Sequence, residues 1–229
     1  MKKFLKNEIT GWSLPEVVWL VFVCVVICGL SVYWKDTVWG IISAVTGVLY
    51  TLLAGKGKLS AYVFGLVNCV LYALISFEAK LYGETILNGI YYIPMMFVGF
   101  FSWKNNMDNE TGTIKKRRMS GAGRVWLAAS ILVLTAAFGF LLKLMGDALP
   151  YVDSFTTVSS VIAMIVSIRR YAEQWWIWLA VNALSVYMWW VNFASGNENI
   201  ATLIMWAVYL INGIIILLKW ELELRRNRL

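Results

Sequence analysis

The chain has 229 residues, of which 60% are hydrophobic and only 14% are charged, and its mean hydropathy is +0.69. Soluble domains carry about 45–50% apolar and about 25% charged residues, so this composition excludes a soluble enzyme, a disordered chain and a fibrous protein. The absence of histidine excludes histidine-based catalytic triads, histidine-ligated metals and histidine proton relays. Cys24, Cys28 and Cys69 lie in apolar runs, which is typical of packing and predicts no disulfide or metal site.

Eight apolar stretches are long enough to cross a membrane. A bilayer core about 30 Å thick is spanned by about 20 residues of helix. The predicted spans are residues 14–33, 37–54, 59–77, 82–103, 123–144, 152–169, 174–194 and 199–219. The first is long and has no clear small-residue cleavage site after it, so we do not expect a cleavable signal peptide. The sequence therefore predicts an all-α polytopic membrane protein.

Basic residues are distributed unequally between the two sides that eight alternating spans define. One side receives 17 of the 20 Lys and Arg residues, and the other receives only Lys35, Lys80 and Lys143. Because Lys and Arg concentrate in cytoplasmic loops, we expect both termini to be cytoplasmic. The net charge of +7 then needs no nucleic-acid partner. The basic run at 115–118 is interpreted as a topology signal, with a site for anionic lipid or RNA as the alternative.

The second, third and fourth spans resemble the last three. Three short matches occur in the same order: residues 42–47 with 158–163, Asn68 with Asn182, and Tyr92…Trp103 with Tyr209…Trp220. The two triplets would cross the membrane in the same direction, as parallel repeats in transporters do. The predicted organisation is an N-terminal segment with an extra helix (1–36), a first three-helix repeat (37–104), a loop and linker helix (105–145), a second repeat (146–220) and a tail (221–229).

Each of the six repeat helices carries polar and aromatic residues at spacings of three and four, which place them on one face. In hydrocarbon such residues either hold helices together or line a wet cavity. Trp residues near span ends, Trp175 among them, are interpreted as membrane-interface residues. We predict a substrate site near the midplane formed by Asn68, Tyr72, Asn88, Tyr91, Tyr92, Asn182, Ser185, Trp189, Thr202, Trp206, Tyr209 and Asn212, with Thr46, Tyr50, Thr156 and Trp178 as secondary candidates.

The predicted site combines neutral hydrogen-bonding groups with aromatic rings. Carboxamides and hydroxyls offer donors and acceptors, and aromatic faces stack on flat rings and attract cations. No charged residue lies near the middle of a repeat span, and Glu84 and Asp153 lie close to the outer boundary. The pattern favours an uncharged or singly cationic, polyhydroxylated aromatic molecule that moves down its gradient without ion coupling. We expect no cofactor, no metal and no enzymatic activity.

Several motifs between Tyr62 and Trp103 are more specific than the polar pattern. They are Gly-Leu-x-Asn at 65–68, Ala-Lys-x-Tyr-Gly at 79–83, and Tyr-x-Pro-Met from Tyr92 followed by Gly and Trp. The seventh span, WWIWLAVNALSVYMWW, extends the pattern into the second half. These features resemble the PnuC family of bacterial nicotinamide riboside transporters over residues 37–220. The first span lies outside the resemblance.

The resemblance implies a SWEET-like core of three, one and three helices. It further implies that nicotinamide riboside enters the cytoplasm by facilitated diffusion and is trapped when a cytoplasmic riboside kinase phosphorylates it for NAD synthesis. We expect alternating access by rocking of the two triplets, with Pro94 as a flexible point. Related members carry thiamine, so thiamine, another small vitamin or a sugar is the alternative substrate. A membrane enzyme or an assembly protein would be a different class of function, and the sequence leaves open whether the chain forms a homo-oligomer.

Overall fold

The computed structural model describes residues 10–79, 82–108, 112–144, 150–196 and 199–226. Lys2, Lys3, Lys6, Lys80 and Arg228, which contribute to the predicted charge asymmetry, lie outside these ranges. Apart from two isolated β-bridges, the regular structure of the described part is helical. The helices are α1 (Leu14–Tyr33), α2 (Val38–Gly55), α3 (Ser60–Glu78), α4 (Tyr82–Ile86, Leu87–Tyr92 and Ile93–Lys104), α5 (Gly121–Leu144), α6 (Pro150–Ile168), α7 (Gln174–Ala194) and α8 (Ile200–Arg226).

All eight helices are long and apolar enough to cross a membrane, which confirms the predicted number of spans. Their beginnings follow local side-chain chemistry. The Ser13 backbone N–H donates to the Glu16 carboxylate at the start of α1 (2.9 Å), and the Thr37 hydroxyl accepts from the Gly40 N–H at the start of α2 (3.0 Å). Both contacts satisfy backbone donors that the first turn of a helix leaves unpaired.

The helices pack as two neighbouring groups. Helix α3 packs between α2 and α4, and α7 packs between α6 and α8. Contacts between the groups join α2 to α8 and α4 to α6, while α1 lies against α2 and α8, and α5 lies against α6. In α5 only Gly139 is buried, whereas 13 of the 27 residues of α8 are buried. The two spans without a polar face, α1 and α5, therefore lie at the periphery, where their apolar side chains suit lipid.

Helix α4 changes its hydrogen-bonding pattern in its middle. A π-helical segment, Leu87–Tyr92, separates the two α-helical parts, and Pro94 follows it directly. Proline lacks the N–H that an α-helix would bond to the carbonyl of Ile90, so a local departure from the regular pattern is expected here. Within this segment Asn88 and Tyr92 are buried, at 5% and 9% exposure. The irregular turn therefore directs two polar side chains inward.

Candidate functional site

A cavity lies between the two helix groups and encloses about 840 Å³ of unoccupied space, its opening included. All six helices of α2–α4 and α6–α8 contribute to its wall, and α1 and α5 do not. The cavity brings together nine of the sixteen predicted residues: Tyr50, Asn68, Tyr72, Asn88, Tyr92, Trp178, Asn182, Trp206 and Tyr209. We refer to it as the central cavity.

One side of the central cavity is organised around the hydroxyl of Tyr72. This hydroxyl accepts hydrogen bonds from Nε1 of Trp189 (2.8 Å) and from Nε1 of Trp206 (3.2 Å), and Tyr72 itself is 2% exposed. A hydroxyl that accepts two bonds keeps its own proton free to donate. The Glu84 carboxylate lies within hydrogen-bonding reach of the Tyr72 hydroxyl and is placed to accept this hydrogen bond. Trp189 is fully buried behind Tyr72 and so positions the wall without lining it.

A second network fixes Asn68. Its Nδ2 donates to the Ser43 carbonyl (2.8 Å) and lies 3.2 Å from the Ser43 hydroxyl, and its Oδ1 accepts from the Tyr209 hydroxyl (3.4 Å). Gly47 makes room for this arrangement, because a Cβ at that position would overlap the Tyr209 hydroxyl and lie 2.8 Å from Nδ2 of Asn68. Asn68 is thus held largely by protein partners, and its role in the wall is structural as well as polar.

Two polar groups in residues of the wall have no hydrogen-bond partner within the described part of the protein. Asn182 has no hydrogen-bond partner among the described residues, although it is 95% buried and lines the cavity. The indole N–H of Trp175 is buried and likewise lacks a partner in the described part of the chain. Buried polar groups are ordinarily hydrogen-bonded, so both groups suit a bound polar molecule. Trp178 and Tyr92, with ring centroids 6.3 Å apart, add aromatic surface.

The cavity wall carries a single charged side chain within the described ranges, Glu84. Nδ2 of Asn88 donates to the Glu84 carbonyl (2.9 Å) and lies 3.4 Å from its carboxylate. The sequence places Glu84 near the outer boundary of its span, and the structure places its side chain in the cavity wall. Among the described residues, no group of three Cys, Asp or Glu side chains could hold a metal ion. The cavity therefore offers aromatic faces, carboxamides and one carboxylate.

Seven predicted residues lie outside the cavity wall. The hydroxyls of Thr46 and Thr156 bond to carbonyls of their own helices, and the Tyr91 hydroxyl donates to the Val161 carbonyl (2.9 Å). Backbone carbonyls are available to hydroxyls wherever helices pack. A polar residue on the predicted helix face can therefore bond to a carbonyl instead of lining the cavity. The others are buried outside the central cavity, and Asn212 lines a second cavity described below: Ser185, Trp189, Thr202 and Asn212.

The wall also contains residues outside the predicted set. Trp175 was interpreted as a membrane-interface residue, but it is 5% exposed and faces the cavity. Ser160 and Glu84 were visible as polar residues at helical spacing or at a span end, and that signal could have included them. Apolar and terminal residues gave no such signal. The complete set of additions is Thr51, Ala54, Cys69, Glu84, Leu87, Met96, Ser160, Met164, Gln174, Trp175 and Met205.

Comparison with known proteins assigns the chain and its fold to a family. The family model described as "Nicotinamide mononucleotide transporter" matches residues 37–222, which is most of the chain. A nicotinamide riboside transporter PnuC from Neisseria mucosa is 35% identical over 222 residues, covering 95% of this chain and 84% of that protein. The chain belongs to the PnuC transporter family. The resemblance found in the sequence is thereby confirmed.

Other members of the family agree over the full length of the chain. The Haemophilus influenzae nicotinamide riboside transporter PnuC is 32% identical over 226 residues, covering 97% of each protein. The crystal structure of a vitamin B3 transporter PnuC superposes with a TM-score of 0.87 at 34% identity and covers 97% of both chains. The family and these relatives are membrane transporters and not enzymes. The match also includes α1, which the sequence resemblance left outside.

Proposed function

We propose that this chain carries nicotinamide riboside across the membrane, the substrate that the relatives from N. mucosa and H. influenzae are named for. Nicotinamide riboside has a flat pyridinium cation and a neutral ribose. The rings of Tyr92, Trp178 and Trp206 offer surfaces for the pyridinium, since aromatic faces attract cations. The open carboxamide of Asn182 and the indole N–H of Trp175 suit the ribose hydroxyls and the substrate amide.

The charged groups of the cavity wall distinguish the riboside from its phosphorylated form as the substrate. The family model is described by the mononucleotide, whose phosphate is an anion. No Lys or Arg among the described residues lines the central cavity, and Glu84 adds a carboxyl group there. A buried anion without a cationic partner is costly, whereas a buried cation beside a carboxylate is stabilised. The cavity therefore favours the riboside over the mononucleotide.

We also propose that the two helix triplets alternate between inward- and outward-open arrangements. Two matching contacts support related triplets. Nε1 of Trp103, at the end of α4, donates to the Ser167 carbonyl of α6 (3.1 Å), and Nε1 of Trp220 in α8 donates to the Gly55 carbonyl of α2 (2.7 Å). Each triplet thus uses its last helix to hold the first helix of the other. Both contacts lie at the end assigned to the cytoplasm, so breaking them would open the cavity on that side.

The remaining parts of the proposal follow from the distribution of charge. Seventeen of the 20 Lys and Arg residues fall on one side, which favours cytoplasmic termini in the inner membrane. Glu84 is engaged by Tyr72 and Asn88, and we assign it to the substrate cation instead of to proton or sodium coupling. Transport is then facilitated diffusion, and net accumulation depends on phosphorylation by a cytoplasmic riboside kinase.

Uptake of labelled substrates into proteoliposomes tests the proposed substrate. Nicotinamide riboside is expected to enter without an ion gradient, and the mononucleotide is expected neither to enter nor to compete at equal concentration. Preferred uptake of thiamine or of a neutral sugar would refute the choice of riboside.

The substitution Glu84→Gln is expected to weaken riboside uptake about tenfold, as the loss of a charge-assisted contact of about 1.4 kcal/mol predicts. Glu78→Gln is the matched control, because Glu78 is exposed beyond the end of the cavity.

A further inference from the structure

A second cavity lies where α1 begins and α2 and α8 end, beside the segment 113–116. It encloses about 1650 Å³ of unoccupied space, its opening included, and none of its wall residues is shared with the central cavity. Nδ2 of Asn212 in its wall donates to Oγ1 of Thr51 in the wall of the central cavity (3.2 Å), so a single hydrogen-bonded pair lies between the two. We refer to it as the basic cavity.

Lysines outnumber carboxylates in the basic cavity. Glu16 is shared between Nζ of Lys56 (2.7 Å) and Nζ of Lys219 (2.8 Å). Lys116 pairs with Glu223, which is half exposed. Lys58 also lines the wall and is 3% exposed. Lys56, Lys116 and Lys219 thus outnumber their carboxylate partners Glu16 and Glu223 by one positive charge, and Lys58, which has an interaction of its own, lies beside them.

The lysine side chains are held in place by aromatic rings. Nζ of Lys56 lies 4.9 Å from the centre of the Trp12 ring, and Nζ of Lys116 lies 4.9 Å from that of Trp220. Burial lowers the pKa of Lys116 from its usual value, while the ion pair with Glu223 opposes this shift. A buried ammonium group of this kind gains from any further negative charge that enters the cavity.

The basic cavity also has an apolar floor. Beneath the lysines, its wall is formed by α1, α2 and α8 through Trp19, Leu52, Ile215 and Ile216. A cationic rim above an apolar floor, at the ends of membrane-spanning helices, matches the chemistry of an anionic phospholipid, with a phosphate above acyl chains. A free phosphate shares the part of this chemistry that the lysines recognise.

We propose that the basic cavity is a binding site for a phosphate-bearing anion, held by Lys56, Lys116 and Lys219 at the end of the molecule assigned to the cytoplasm. The anion is supplied either by an anionic phospholipid headgroup or by free phosphate. This site goes beyond the transport of the riboside, because it is separate from the central cavity and takes the opposite charge. The apolar floor contributes to binding only when the phosphate belongs to a lipid.

Binding to the purified full-length protein in detergent distinguishes the two sources. The probes are phosphatidylglycerol, phosphatidylcholine and inorganic phosphate, and the readouts are the shift in unfolding temperature and retention of lipid in native mass spectrometry. Phosphatidylglycerol but not phosphatidylcholine is expected to bind if the source is lipid, and inorganic phosphate alone is expected to stabilise if the source is soluble. Equal effects of the two lipids, together with no effect of phosphate, would overturn the proposal.

Substitutions assign the binding to this cavity. Removing both Lys116 and Lys219 as K116Q/K219Q is expected to weaken anion binding about 25-fold, at about fivefold for each basic residue near a membrane surface. Glu223→Gln removes a competing carboxylate and is expected to strengthen binding about fivefold, a gain that mere destabilisation cannot produce. Lys143→Gln is the matched control, since Lys143 is an exposed lysine at the other end of the molecule. Unchanged binding in both K116Q/K219Q and Glu223→Gln would place the anion elsewhere and refute the site.

Discussion

The hydroxyl of Tyr72 is the group whose removal has the most direct consequence for the central cavity. Tyr72→Phe keeps the ring and deletes an acceptor that serves two indole N–H groups, those of Trp189 and Trp206. Both indoles are at least 92% buried, so water cannot replace the lost acceptor for their N–H groups. Hydrogen bonds in membrane proteins are worth about 0.6 kcal/mol on average and up to about 1.7 kcal/mol. The loss of two bonds is therefore expected to cost about 1–3 kcal/mol.

Thermal unfolding in detergent, followed by tryptophan fluorescence, measures this cost. One kcal/mol corresponds to about 2–4 °C in Tm for a protein of this size, so Tyr72→Phe is expected to lower Tm by about 3–10 °C. Tyr187→Phe is the matched control, because Tyr187 lies on α7 near Trp189 but is 65% exposed. The control should change Tm by less than about 1 °C. Riboside affinity should also fall, since Trp206 loses the bond that orients it in the wall.

A double substitution separates the stranded donors from a loss of packing. Tyr72→Phe alone leaves the indole N–H groups of both Trp189 and Trp206 unpaired. Adding Trp189→Phe removes the first of these donors, which bonded the Tyr72 hydroxyl. The combined loss of stability should then be smaller than the sum of the two single losses, because the Trp189 bond is counted once. Strictly additive losses of stability, or a Tm of Tyr72→Phe within about 1 °C of the wild type, would refute the role of the Tyr72 hydroxyl as the shared acceptor of the two indole N–H groups.

Four further substitutions, and one control, test other contacts of the structure. Gly47→Ala should lower the free energy of unfolding by about 1–3 kcal/mol and abolish most riboside uptake, because the new Cβ overlaps the network around Asn68 and Tyr209. Gly29→Ala is the control: its Cβ meets open space, so Tm and riboside uptake should stay at wild-type values. Trp103→Phe and Trp220→Phe should each lower Tm by a similar amount, and a large effect of only one would argue against matched triplets. Asn182→Ala should leave Tm nearly unchanged while weakening riboside uptake by about fivefold, because its carboxamide has no partner among the described residues; wild-type uptake in this variant would exclude it from the site.

The membrane-spanning helices could be predicted from composition alone because the bilayer imposes the same requirement on every span. About 20 apolar residues must be helical wherever they cross, so the eight predicted stretches agree with the eight helices to within a few residues at nearly every end. The N-terminus of α8 was predicted at 199 and lies at Ile200, and its C-terminus continues past the predicted 219 to Arg226. The extension is polar, and its Glu223 forms an ion pair with Lys116 of the basic loop. A hydropathy profile cannot predict such a contact.

The composition of the cavity depended on tertiary contacts. A polar stripe covers a wide arc of a helix, and part of that arc always meets a neighbouring helix, as Tyr91 does through the Val161 carbonyl. The distinction between a packed hydroxyl and an open one therefore needs the position of the neighbour. Glu84 illustrates the same dependence: the sequence gives its position along the span, whereas the packing of the first part of α4 against α3 decides that it lies in the cavity wall.

Periodicity and hydropathy in the sequence thus determined which residues share a helix face and how many helices can cross a membrane, because these properties follow from the geometry of one helix in lipid. The partner of each face, the charge inside the cavity and the existence of the basic cavity came from the packing of helices that are far apart in the chain. Glu16 and Lys219, separated by about 200 residues, meet 2.8 Å apart. Such a contact is a property of the assembled bundle, since no local spacing rule relates residues on separate helices.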